Sequence, residues 1–75
     1  MPTLAELRPG QSARVEAISG VPALVQRLYE MGLLEGDAVE LIGRAPLGDP
    51  LEIRVGNTRL SLRTAEAAGV RVSPI

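Results

Sequence analysis

The chain has no cysteine, no histidine, no tryptophan and no phenylalanine. Without cysteine there are no disulfide staples and no thiolate metal site. The joint loss of histidine and cysteine removes the Ser-His and Cys-His nucleophile pairs, so no enzyme is expected. It also removes the usual ligands of zinc, copper and ferrous iron. Carboxylates, hydroxyls, carbonyls and two methionine thioethers remain. Glu35, Asp37, Glu40, Asp49 and Glu52 can offer oxygen ligands, which suit magnesium or calcium better than they select ferrous iron. They are expected to be solvated surface charge, with no metal site and no cofactor. Lysine is absent too. All eight cations are arginines, scattered against nine acids for a net charge of −1. With no basic patch and no stacking aromatics, no nucleic-acid partner is expected. No run approaches the roughly 20 apolar residues of a membrane helix, so direct membrane insertion is not expected. Residues 1–7 place no basic region before an apolar stretch, so no signal peptide and a cytoplasmic location are expected.

What the chain does have is aliphatic. Its 75 residues are 45% hydrophobic, and Tyr29 is the sole aromatic. That length gives one domain, residues 1–75, burying only about 60% of its unfolded surface. Turn signals recur at short intervals: Pro9-Gly10, Gly20, Pro22, Gly32, Gly36-Asp37, Gly48-Asp49-Pro50, Gly56-Asn57 and Gly69. Short segments between such turns predict a small β-rich barrel.

Residues 13–19 read as a first strand with Val15 and Ala17 on one face, although Ile18 disturbs the alternation. Residues 21–31 read as the one real helix. Pro22 suits its first position, and Gly32 suits the left-handed residue that ends it. Leu24, Leu28 and Met31 share one face and are expected in the core. Val25 and Tyr29 sit four residues apart on the flank, with Gln26, Arg27 and Glu30 facing outward. A second strand covers 37–45, where Ile42 and Gly43 break the alternation and the glycine marks a bulge. The clearest period of two is Leu51, Ile53 and Val55 against Glu52 and Arg54. Gly56-Asn57 then reads as a two-residue hairpin turn, since both residues tolerate positive φ. Residues 58–63 form a fourth strand with Leu60 and Leu62 inward. One helical turn, 64–67, is expected with Thr64 as its cap. Val70 and Val72 face inward on a fifth strand. The fold class is therefore mainly β: a small SH3-like five-stranded barrel with one short α-helix after the first strand. Closure would leave few exposed edges.

Three pieces taken together resemble the FeoA family. They are Arg27-Leu28 with Met31-Gly32-Leu33 and Gly36, the stretch Ala45-Pro46-Leu47-Gly48-Asp49-Pro50, and Leu62-Arg63 with Glu66-Ala67. The opening stretch 4–20 also matches, so the resemblance covers nearly the whole chain. It implies an SH3-like fold and a role in bacterial ferrous-iron transport. FeoA-like proteins are small cytosolic companions of FeoB, an iron transporter with a GTPase domain, and are thought to bind it and modulate its activity. The same domain closes the chain of metal-dependent repressors. The alternative implied is therefore a transition-metal-responsive domain, although no helix-turn-helix fits in 75 residues beside the barrel. Ala would look equally at home at Gly69, and an aliphatic residue at Tyr29.

Two stretches are candidate partner surfaces. In the first, Leu47, Gly48, Asp49 and Pro50 form a rigid connection with an apolar tip that has no neighbouring core in sequence. The second is the ridge of Val25 and Tyr29 with Arg27 beside it, which can equally pack on the barrel rim. Arg27, Arg44 and Arg63 raise an arginine-finger reading, since a supplied arginine stabilises phosphoryl transfer. An Arg27–Glu30 pair on the helix surface is the expectation against it. Apolar rims also leave self-association open.

Overall fold

The computed structural model describes residues 2–75. A single 3-10 turn, Leu4–Glu6, opens the chain. It is followed by β1 (Ser12–Ile18), α1 (Pro22–Glu30), β2 (Ala38–Arg44), β3 (Leu51–Val55), β4 (Thr58–Leu62), α2 (Thr64–Ala67) and β5 (Val70–Pro74). The strands form one antiparallel sheet in the order β4-β3-β2-β1-β5. β4 and β5 are its two edges and are not paired to each other, so the barrel is curled but not closed. Only residues 63–69 separate these edges along the chain, and α2 occupies that short span. Beyond β5, Thr3 bridges Arg71, and the Val72 N–H donates to the Pro2 carbonyl at 2.9 Å. One edge is thereby covered by the chain's own N-terminal segment.

Period two accounts for most of the core. Leu51 and Ile53 of β3 face Leu62 and Leu60 of β4, and Val39 and Leu41 of β2 face Val55 and Ile53. Leu4, Leu28, Leu33, Leu41, Leu51, Ile53 and Leu62 are fully enclosed. Two bulges interrupt the alternation. The register shifts between Leu41 and Gly43, where the glycine suggests it. A second shift lies between Val15 and Ala17. It inserts one residue, Glu16, and swings Ile18 opposite buried Val70, so Ile18 packs on the core. Across β3 and β4, Arg54 directly opposes Arg59. Each turns to an acid instead: Arg54 to Glu40 at 3.5 Å and Arg59 to Glu52 at 3.3 Å.

Helix α1 begins with Pro22 at its first turn and ends at Gly32, whose φ is +97°. The Gly32 N–H donates to the Tyr29 carbonyl at 2.9 Å, and the Leu33 N–H to the Leu28 carbonyl at 3.1 Å. This is a Schellman ending, and Leu28 and Leu33 are its buried apolar pair. Of the three apolar residues expected inside, Leu28 is fully buried, while Leu24 and Met31 only pack against the core. The β3–β4 turn is the expected two-residue hairpin, with Val55 paired to Thr58 across it. Gly56 has a φ of +60°, but no non-glycine among the described residues has a positive φ. Asn57 therefore does not adopt the left-handed form, and the turn is of the kind that places glycine first.

Gly69 corrects another expectation. A Cβ there would stand 2.3 Å from the Ser19 carbonyl oxygen. The backbones meet because the Ser19 N–H donates to the Gly69 carbonyl at 2.8 Å. Alanine thus forces apart the last contact between β1 and β5. Gly69→Ala is expected to cost about 2 kcal/mol or more, lowering Tm by roughly 10 °C in a thermal melt. At Gly43 an added Cβ meets nothing and φ is not positive. Gly43→Ala in the same melt is expected to stay within about 1 kcal/mol of the parent.

Candidate functional site

The loop between β2 and β3 carries the first candidate surface. Its turn is closed by the Gly48 N–H donating to the Ala45 carbonyl at 2.7 Å, with Gly48 at φ +89°. The Ala45 N–H donates to the Pro50 carbonyl at 3.0 Å, so the ends of the loop are tied. Leu47 rides at the tip, 97% exposed. An apolar side chain is held in water here by a well-braced turn.

The bracing comes from Asp49, whose carboxylate reaches across to α2. Asp49 Oδ1 accepts the Thr64 N–H at 2.6 Å and the Thr64 hydroxyl at 2.9 Å. Arg63 Nη1 lies 3.4 Å from Oδ2. Asp49 thereby does the work of a cap for α2 from a distant loop, and Thr64 is the first helical residue rather than the expected cap. The Thr64 backbone N–H, then its hydroxyl, hold the Asp49 carboxyl below the usual aspartate range, with Arg63 adding a smaller pull.

The second surface lies on α1. Gly20, Pro22, Val25, Gln26, Tyr29 and Glu30 line an open, mostly apolar groove of about 520 Å3. The Tyr29 hydroxyl donates to Glu35 Oε2 at 2.6 Å. That bond holds the Tyr29 hydroxyl above its ordinary value and the Glu35 carboxyl below its own.

Glu66, which the sequence did not single out as a working residue, links the two surfaces. It is the one charged residue in the interior among those described, at 8% exposure. Its Oε1 accepts the Arg63 N–H at 2.9 Å, and its Oε2 lies 3.0 Å from Arg27 Nη1. Arg27 therefore pairs with Glu66 and not with Glu30, which instead accepts from Gln26 Nε2 at 3.4 Å. A continuous path runs from Arg27 through Glu66 and Arg63 to Asp49. Arg27, Gly48 and Asp49 each reach α2, while Val25 and Tyr29 face the groove. The three arginines considered as fingers are all engaged within the chain: Arg27 and Arg63 as above, and Arg44 with the carbonyls of Ala5 and Leu7.

A family model described as the FeoA domain matches residues 3–74. The chain is 33% identical over 72 residues to an Fe(2+) transport protein A/Fe(2+) transporter FeoB fusion protein of Porphyromonas gingivalis. That alignment covers 96% of this chain but only 8% of the fusion protein. The crystal structure of Stenotrophomonas maltophilia FeoA, described as a zinc complex and a procaryotic SH3 domain protein, is 38% identical with a TM-score of 0.83. It is matched over 97% of this chain and 91% of that one. A manganese-dependent transcriptional repressor complexed with manganese superposes with a TM-score of 0.91 over 99% of this chain and 36% of its own. At 16% identity that likeness is one of fold alone.

Two measurements test the network. Glu66→Ala strands an N–H and a guanidinium beside the interior, and is expected to cost about 1–3 kcal/mol in denaturant unfolding. Arg27→Ala removes a partner that is 63% exposed and is expected to cost under about 1 kcal/mol. The second test is pH. The Asp49 carboxyl is lower in the folded chain than its ordinary 3.8. Its contribution is complete above about pH 5 and is lost as pH falls through the folded value. Acid unfolding of Asp49→Asn is therefore expected to show a shallower loss of stability below about pH 4 than the parent.

Proposed function

The chain belongs to the FeoA domain family, and on that premise we propose that it is an accessory protein of ferrous-iron transport that docks on the cytosolic side of a FeoB-type transporter and modulates it. The observation that carries this reading is Leu47. A leucine 97% exposed, on a loop tied at its ends and braced by Asp49 to α2, is an unspent apolar anchor on a rigid mount. The fusion of a transport protein A with a FeoB transporter in one relative supports a partner of this kind. Contacts assigned to docking are Leu47, Gly48 and Pro50 on the loop, with Val25, Tyr29 and Arg27 on α1. Asp49 is assigned to holding the loop rather than to touching the partner.

A resident transition metal does not fit the residues present. Zinc in such a site takes cysteine, histidine and carboxylate ligands. This chain has neither of the first two, and its described residues hold no group of three acids placed for a metal. The metal-responsive alternative therefore lacks a ligand set, and ferrous iron enters this account only as the transporter's cargo. Domain fusion and the exposed tip both favour the docking reading.

The test is titration of the chain against the purified cytosolic GTPase domain of a FeoB-type transporter from the same genome, with GTP and with GDP, following binding and GTP turnover together. Saturable binding with altered turnover is the expected result. Leu47→Asp is expected to weaken binding about tenfold or more while the thermal melt shifts by no more than a few degrees, because the side chain packs on nothing. Equal binding by that variant removes the loop from the interface.

A further inference from the structure

The α1 groove has a chemistry of its own. Its walls are mostly apolar, and none of its lining residues is a cation. Gly20 stands at one end at φ +144°, and a Cβ there would come within 3.3 Å of the Leu24 side chain. At the other end, negative charge collects in an arrangement that the free chain does not favour. Glu30 is the last residue of α1 and so sits at the negative end of the helix dipole. The only cation in the last turn, Arg27, is turned away to Glu66. Glu35 adds a second carboxylate, held against Tyr29 by the 2.6 Å bond. The Tyr29 ring thus stands between an apolar trough and two carboxylates.

Resting on the reading that the chain docks on a FeoB-type transporter, we propose that this groove receives an apolar segment of that transporter ending in an arginine or lysine. The apolar side chains lie along Pro22 and Val25. The terminal cation reaches Glu30 and Glu35 across the face of Tyr29, which attracts it in turn. Charge complementarity selects this occupant: the cation offsets the unfavourable carboxylate at the end of α1, which a neutral or acidic segment leaves in place. The length fits as well. Pro22, Val25 and Tyr29 of α1 form a row along the groove at intervals of three and four residues. At 1.5 Å per residue the row runs about 10 Å, or two turns of a partner helix.

The experiment titrates detergent-solubilised full-length FeoB-type transporter from the same genome with the intact chain at low and high ionic strength. Wild type is compared with Val25→Glu and Glu30→Lys, each first shown by circular dichroism to melt as the parent does. Val25→Glu is expected to raise Kd about tenfold or more. Glu30→Lys, an exposed change that touches no core residue, is expected to raise Kd severalfold at low salt and to flatten its salt dependence. If wild type binds and both variants bind as well as it does, the groove is not the contact, and docking stands without it. If wild type does not bind at all, the docking reading fails and this inference fails with it. Sedimentation of the chain alone supplies the remaining outcome. Loss of self-association in the variants, with transporter binding unchanged, assigns the groove to a second copy and overturns the proposal.

Discussion

Glu66 is a charged residue in a place that otherwise excludes charge. The sheet stops short of closing, and its two edge strands are joined by seven residues in which a four-residue helix must fit. A helix that short cannot satisfy its own terminal N–H groups or survive on propensity. Its N–H groups are met by side chains instead: Glu66, the third residue of the helix itself, takes the Arg63 N–H, and Asp49 takes the Thr64 N–H from the distant loop. The same Glu66 carboxylate anchors Arg27 of α1. Remove it, and the end of the sheet, the seat of α1 and the mount of the Leu47 loop all lose a shared point of attachment.

This arrangement ties two surfaces far apart in sequence to one short helix. The loop is fixed to α2 by Asp49, and α2 is fixed to α1 by Glu66. A partner touching both meets a preorganised pair of contacts and loses little ordering entropy in the loop. Arg27 and Arg63 take part in this internal bracing, and Arg44 holds the N-terminal turn.

Local features were the legible ones. Leu51, Ile53 and Val55 alternate because one face of their strand is buried, and Pro22 and Gly32 mark the ends of α1 by backbone preference alone. The aliphatic core, five strands and exposed Leu47 followed from the same local rules. Features set by contacts between distant residues left no periodic trace. The bulge at Glu16 exists because Ile18 must meet Val70, some fifty residues away. Gly69 is required by the Ser19 carbonyl, and nothing in its neighbours announces this. Glu66 read as part of a family motif, but its bond to Arg27 depends on how two helices sit together. The gap between β4 and β5 depends on curvature, which a strand pattern does not encode.

A core without phenylalanine or tryptophan has a spectroscopic consequence. The chain's near-ultraviolet absorbance and emission come from one phenol, and that phenol stands in the α1 groove, 38% exposed and bonded to a carboxylate. Tyrosine signals from this protein therefore report the state of a surface, not of the interior. Emission can change when the groove is filled or Glu35 is displaced while the fold is intact, so a change in it is not by itself a sign that the aliphatic core has melted.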